Sequence, residues 1–231
     1  MPEIKLGIAG AAGRMGRAIH DEAAADGRFK LAGTSDRDGE AAGLFAAADL
    51  VLDFSVAGAA MTHAGLAGKT GKALLVGTTG LDEEAMAALR AAGATAPVLV
   101  APNTSVGIAL LVSFARGAAA RLGADFRVEI EDIHHAGKKD APSGTALMLG
   151  RVISEARGMS LDDLAITSER VGDAAGKHRV SFIGALERID LIHEVTDRLV
   201  FARGALDAGH WLAGQPPGFY AMSDFLGATK K

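Results

Sequence analysis

Short apolar runs alternate with segments of helical spacing through the first hundred residues, and that alternation leaves few folds open. The apolar runs lie at 4–9, 29–32, 50–54, 73–76 and 97–100. Alanine-rich stretches with helical spacing fill 15–25, 57–68 and 81–92. The last of these begins with Leu81 and then Asp82, Glu83 and Glu84, acids that suit the positive end of a helix dipole. Strands buried on both faces read as continuous apolar runs, and intervening helices force parallel crossover connections. The spacing predicts a doubly wound parallel-sheet, Rossmann-like α/β domain over residues 1–103.

The pattern then changes. A long apolar helix is predicted over 105–122, an alternating strand over 126–133 and a helix over 143–157. Residues 178–186 and 188–195 alternate charged and apolar side chains, as half-exposed antiparallel strands do. A smaller α+β unit is therefore expected over 104–198. A helix over 199–212 returns the chain to the first domain, which is expected to comprise 1–103 and 199–231.

Composition removes several function classes. The net charge is −4, with no basic excess to hold nucleic acid or an anionic membrane. The chain has no cysteine, hence no disulfide, thiolate metal site or cysteine nucleophile. No run approaches the ~20 apolar residues of a membrane span. The acidic start Met1-Pro2-Glu3 is unlike a signal peptide, so the expected setting is the cytoplasm.

The first apolar run ends in Gly7-Ile8-Ala9-Gly10-Ala11-Ala12-Gly13-Arg14-Met15-Gly16, and a helix follows. In a βαβ unit such a turn lets a pyrophosphate approach backbone N–H groups at the helix N-terminus. The spacing is G-x-x-G-x-x-G; Ala12 stands where the stricter G-x-G-x-x-G pattern has its second glycine. A plain strand-to-helix turn would use the same glycines. Asp36 follows the second run, where an acid bonds the ribose 2′-hydroxyl of a dinucleotide. Arg37 beside it suits a 2′-phosphate. The alternative for Asp36-Arg37-Asp38-Gly39 is a solvated turn. Gly77-Thr78-Thr79-Gly80 and Ala101-Pro102-Asn103-Thr104 also follow strand ends, where ligands of open parallel sheets bind. Their hydroxyls and amide suit a nicotinamide ribose and carboxamide, although ordinary turns use the same residues.

The densest chemistry runs from Glu131 to Thr145: Glu-Asp-Ile-His134-His135-Ala-Gly-Lys138-Lys139-Asp-Ala-Pro-Ser143-Gly144-Thr145. Histidines and lysines sit at a strand exit, and Ser143-Gly144-Thr145 opens a helix whose N–H groups and hydroxyls make a nest for a carboxylate. The positive charge points to a small anionic substrate, with the lysine available as a proton donor. The bland alternatives are a structural histidine, solvated lysines and ordinary helix capping. A metal held by Glu129, Glu131 and the histidine pair is a further rival, but consecutive histidines on a strand point apart, and no metal is expected.

Gly10–Gly16, Val76-Gly-Thr-Thr-Gly80, Asn103-Thr-Ser-Val-Gly107 and His134-His135-x-x-Lys138-x-Asp-Ala-Pro-Ser-Gly-Thr145 together resemble the 4-hydroxy-tetrahydrodipicolinate (dihydrodipicolinate) reductases of bacterial lysine and diaminopimelate synthesis. The similarity continues through Gly176-x-His178, 193–198, Phe201-Ala-x-Gly-Ala205, Trp211-Leu212 and Gly218-Phe-Tyr-x-Met-x-Asp224, covering nearly the whole chain. The resemblance implies hydride transfer from NADH or NADPH to a cyclic imine dicarboxylate. It implies that His134 and Lys138 form the catalytic acid pair, with Lys138 protonating the ring nitrogen, and that His135, Gly144 and Thr145 hold substrate carboxylate. It places the cofactor on Gly10, Ala11, Ala12, Gly13, Arg14, Met15, Asp36, Arg37, Gly77, Thr78, Thr79, Ala101, Pro102, Asn103 and Thr104. Protonating nitrogen as hydride reaches carbon avoids an amide-like anion.

The chain departs from the family at four places. Asp36 stands where the family often has Glu, and Ala136-Gly137 replaces bulkier, often basic residues. The stretch between Asp36 and Asp53 is abbreviated. The segment before Arg170 is also short, so one strand of the second sheet is expected to be lost. The family is typically tetrameric through that sheet, and Val180, Phe182, Ile189, Leu191 and Ile192 need burial. The expectation is a homo-oligomer, with the tetramer favoured and a dimer as alternative. Rival functions are another nicotinamide-dependent dehydrogenase of a small acidic substrate and a non-catalytic NAD-binding regulator; His134 and Lys138 argue against the latter.

Overall fold

In a computed structural model, the structure describes residues 3–36 and 38–228. The chain divides into two units, residues 1–106 with 199–231, and residues 107–198. No helix among the described residues is long and apolar enough to cross a membrane.

The first unit is built on a six-stranded sheet in the order β10-β5-β4-β3-β1-β2, parallel throughout. The strands are β1 (Ile4–Ala9), β2 (Phe29–Ser35), β3 (Leu50–Asp53), β4 (Ala73–Val76), β5 (Pro97–Val100) and β10 (Gly218–Tyr220). β3 and β4 are buried along their whole length, as their unbroken apolar runs require. Helices α1 (Arg14–Ala24), α2 (Asp38–Ala47), α3 (Ala60–Thr70), α4 (Glu83–Ala92) and α7 (Leu199–Leu212) cover the sheet, and α8 (Met222–Ala228) follows β10. Leu44 and Phe45 of α2, Ala64 and Ala67 of α3 and Leu89 of α4 pack with Val51, Leu74, Val76 and Val98 in one cluster. Asp82 caps α4, its carboxylate accepting from the Ala85 amide at 2.8 Å. β2 and β3 lie on opposite sides of β1. The crevice beyond their carboxyl ends is therefore the switch point where open α/β sheets bind ligands.

Five strands are expected from the apolar runs; β10 is a sixth, too short for any periodicity. Two further elements, α2 and α8, are also absent from the sequence reading.

The second unit carries a four-stranded sheet in the order β7-β6-β8-β9. Its strands are β6 (Arg127–His134), β7 (Ala165–Arg170), β8 (Lys177–Ile183) and β9 (Arg188–Glu194). β7 runs parallel to β6, while β8 and β9 are antiparallel neighbours. Helices α5 (Val106–Ala119) and α6 (Gly144–Arg157) contribute Ile108, Leu111, Leu149 and Ile153 to a core with Val128, Ile130, Val180 and Phe182. The expected loss of a strand before Arg170 does not occur. Ala165–Arg170 alternates, and six residues suffice for an edge strand whose Ile166 packs on that core.

Of the side chains expected to need burial, Val180 and Phe182 are fully enclosed. Ile189 and Ile192 are exposed, at 37% and 54%. Ile192 pairs with Arg179 while Leu191 pairs with Val180, so Ile192 points to the face opposite the core.

Candidate active site

At the end of β1, Gly10 has φ +80, a left-handed conformation that favours glycine. A Cβ there would lie 2.5 Å from the Phe54 carbonyl oxygen, so only glycine lets the turn approach the end of β3. Gly13 is the N-cap of α1 and leaves the helix without a side-chain cap. The first-turn N–H groups of α1 are thus of the kind that take a phosphate. A cavity of about 210 Å3 opens beside them, lined among others by Gly10, Gly13, Ser35, Asp36, Phe54 and Ser55. Glycine turn, helix N-terminus and an acid after β2 fit a dinucleotide.

Asp36 does more than the sequence suggests. Its carboxylate accepts a 2.7 Å hydrogen bond from the Ala12 amide, tying the end of β2 to the glycine turn. Arg37 lies outside the described residues.

The other two loops spend much of their polarity on the fold. Thr78 is buried, with its hydroxyl 3.4 Å from the Asp53 carbonyl. Thr104 donates to the Phe201 carbonyl at 2.7 Å, and the Asn103 side-chain oxygen accepts from the Ser105 amide at 2.9 Å. The cavity wall also holds His63, which the sequence reading passed over together with its partner Asp53. Buried His63 lies with Nδ1 2.7 Å from an oxygen of fully buried Asp53, whose other oxygen accepts from the Ser55 amide at 2.9 Å. Burial alone would raise the Asp53 carboxyl; His63 and Ser55 outweigh it and hold it below the usual range.

In the second unit, β6 delivers the chemistry. Its inward positions are Val128, Ile130, Asp132 and His134, so the strand changes from apolar to ionisable along one face. Asp132 is fully buried. Its Oδ1 lies 2.8 Å from His134 Nδ1 and 3.4 Å from His178 Nε2. The His134 contact is at ion-pair distance without the angle of a formed hydrogen bond. Its Oδ2 accepts from the Ser143 amide at 2.9 Å, from the Ser168 hydroxyl at 3.2 Å and from the Arg170 guanidinium at 3.2 Å. Burial would raise this carboxyl, but His134, His178 and Ser143 overcome that and hold it far below the ordinary carboxylate range. One ligand atom each from Asp132, His134 and His178 lies within 4.8 Å of the others, a spacing that suits a metal. Arg170 already supplies the cation that this carboxylate needs.

β6 leads into a turn in which the Lys138 amide donates to the His135 carbonyl at 3.1 Å. Lys138 Nζ lies 2.8 Å from Asp140, and Arg170 also donates to the Asp140 carbonyl, fastening the loop. Ser143 then caps α6, its hydroxyl accepting from the Ala146 amide at 3.2 Å. Gly144 and Thr145 are the first residues of that helix, Gly144 exposed and Thr145 half-buried. Gly176, with φ +146, leaves room beside His134; a Cβ there would come within 3.2 Å of Nε2. Sequence reasoning missed Asp132, Arg170 and His178 as site residues. The available signal was an acid on the inward side of an otherwise apolar alternation.

Comparison with known proteins agrees with this layout. Family models described as dihydrodipicolinate reductase, N-terminus and C-terminus, match residues 4–104 and 107–226. A 4-hydroxy-tetrahydrodipicolinate reductase of Zymomonas mobilis is 42% identical, covering 97% of each chain. That of an Anaeromyxobacter species is 40% identical over 97% of this chain and 98% of its own. A solved dihydrodipicolinate reductase from Paenisporosarcina sp. TG-14, described as dipicolinate-bound, superposes with a TM-score of 0.81 at 22% identity, over 95% of this chain and 97% of its own.

Proposed function

The chain belongs to the dihydrodipicolinate reductase family, and we propose that it reduces 4-hydroxy-tetrahydrodipicolinate to tetrahydrodipicolinate in the diaminopimelate route to lysine. NADH or NADPH, when bound, supplies the hydride. The observation that carries this reading is the end of β6 and the loop after it, which present His134 and Lys138 just before the Ser143-capped N-terminus of α6.

The first unit seats the dinucleotide. Gly10, Ala11, Ala12, Gly13, Arg14 and Met15 form its pyrophosphate turn, and Asp36 takes the ribose while holding the turn through Ala12. Gly77, Thr78, Thr79, Ala101, Pro102, Asn103 and Thr104 form the remaining wall. The second unit binds and protonates substrate. Gly144 and Thr145 offer N–H groups and a hydroxyl to a carboxylate, and His135 is a further partner for it. Lys138 supplies the proton that the ring nitrogen takes up, and Asp140 holds its ammonium until substrate arrives. The solved relative's dipicolinate is a ring dicarboxylate, the class this nest suits. The protein works in the cytoplasm as a homo-oligomer, with the tetramer favoured, and Ile192 on the open face of the second sheet is consistent with such a contact.

Kinetics of His134→Ala and Lys138→Ala test the assignment. Each is expected to lower kcat by about 10²–10⁴-fold, the usual cost of losing a positioned general acid, with the dissociation constant for NADH unchanged. Near-normal turnover by the double variant overturns it.

A further inference from the structure

The register of the second sheet places Ser168, Asp132 and His178 side by side, with His193 opposite His178 on the next strand. Directly paired residues share a face, so a polar row crosses all four strands, next to the apolar row Ile166, Ile130, Val180 and Leu191. Asp132 is the one carboxylate in that row and is fully buried. A buried charge is retained at a cost unless its oxygens are satisfied. Here they are divided between two tasks. Oδ1 faces His134 Nδ1 at 2.8 Å, with His178 Nε2 farther off at 3.4 Å. Oδ2 takes only donors: the Ser143 amide at the start of α6, the Ser168 hydroxyl and Arg170.

We propose that Asp132 is the positioning residue of this site, fixing His134 in the tautomer with its proton on Nδ1 while anchoring the N-terminus of the helix that carries Gly144 and Thr145. This rests on the catalytic reading of His134 given above. Two lone pairs 2.8 Å apart repel, so the ring nitrogen facing the carboxylate carries the proton even though the angle falls short of a formed hydrogen bond. Nε2 is then the nitrogen on the side of Gly176, where the missing side chain leaves room. One buried carboxylate thus holds both the proton-handling ring and the anion nest in register.

Asp132→Asn tests this sharply. The amide has one acceptor oxygen, and three donors on the Oδ2 side claim it. Its NH2 group then faces His134 Nδ1, which must offer a lone pair, and the proton moves to Nε2. Long-range 1H–15N correlation on 15N-histidine-labelled protein, at a pH where the ring is neutral, reads the tautomer directly; His134→Ala assigns the signal. The expected result is an Nδ1–H tautomer in the unaltered protein and an Nε2–H tautomer in Asp132→Asn. The loss should appear in kcat rather than KM and be about 10–100-fold, as for other partners that orient a functional histidine. Asp132→Glu should retain the Nδ1–H tautomer. An Nε2–H tautomer in the unaltered protein overturns the proposal without any variant having to fold. An unchanged tautomer in Asp132→Asn also overturns it. If instead His134→Ala turns over normally, the catalytic reading fails while the tautomer result still decides the role of Asp132.

Discussion

Replacing Gly10 by alanine separates a functional glycine turn from a merely permissive one. Gly10 sits at φ +80, and left-handed backbone costs a residue with a Cβ about 1–2 kcal/mol. The new methyl would also lie 2.5 Å from the Phe54 carbonyl oxygen, 2.7 Å from its carbonyl carbon and 2.7 Å from the Ser55 Cα. Non-bonded carbons prefer about 3.5–4.0 Å. All three atoms are backbone, so no side chain can rotate away. Overpacking of this kind adds about 1–3 kcal/mol, for a total of about 2–5 kcal/mol. At about 2–4 °C per kcal/mol for a chain of this size, Tm should fall by about 4–20 °C. Any relief by moving Phe54 and Ser55 shifts a wall of the cavity, so NADH affinity should fall as well. Gly27→Ala is the control, because a Cβ there meets nothing within 4 Å. Thermal melts and NADH titration of both variants decide. If Gly10→Ala melts like Gly27→Ala and binds NADH normally, the close approach that defines the proposed dinucleotide seat is wrong.

The remaining predictions concern cofactor, acid and assembly. Asp36 repels a 2′-phosphate while Arg37 offers it a partner, so kcat/KM for NADH and NADPH should differ by less than about three decades, or ~4 kcal/mol; a larger gap in steady-state kinetics contradicts this. Stability should fall as pH is lowered from 7. Burial depresses His193 and His210 below 6.5, so the unfolded chain takes up protons first and the histidine contribution wanes through and below that pH. Asp53 and Asp132 are held below 3.8, so their contribution is present above that value and is lost as pH falls further. Denaturant unfolding at a series of pH values should show both declines, and a flat profile from pH 7 to 3 would contradict the assigned directions. Light scattering at micromolar concentration should give a multiple of 23.6 kDa, whereas a single species at that mass would refute the oligomer.

What the sequence reveals depends on how each element is stabilised. Strands such as Ala73–Val76 are legible because burial on both faces demands an unbroken apolar run. The α4 start is legible because Asp82, Glu83 and Glu84 are local chemistry. The helix Asp38–Ala47 hides among glycines and alanines, though Ala41, Leu44, Phe45 and Ala48 recur at helical spacing and are buried. Gly218–Tyr220 is a strand only because the edge of β5 is there to pair with. At the sites, His134, Lys138 and the Ser143 cap stand in one continuous segment and can be read together. Asp132 has the same neighbours in sequence, but its partners Arg170 and His178 come from other strands. Only register brings them together. Asp36 likewise reads as a ribose ligand, whereas its bond to Ala12 depends on how far β1 and β2 each extend.

The proposed reaction couples a nicotinamide dinucleotide to an imine dicarboxylate. The most direct measurement supplies 4-hydroxy-tetrahydrodipicolinate from a coupled synthase and follows loss of the reduced-nicotinamide absorbance. Oxidation of NADH and NADPH should depend on the imine and be nearly abolished by Lys138→Ala. Imine-independent oxidation, or none with either cofactor while NADH still binds, would contradict it.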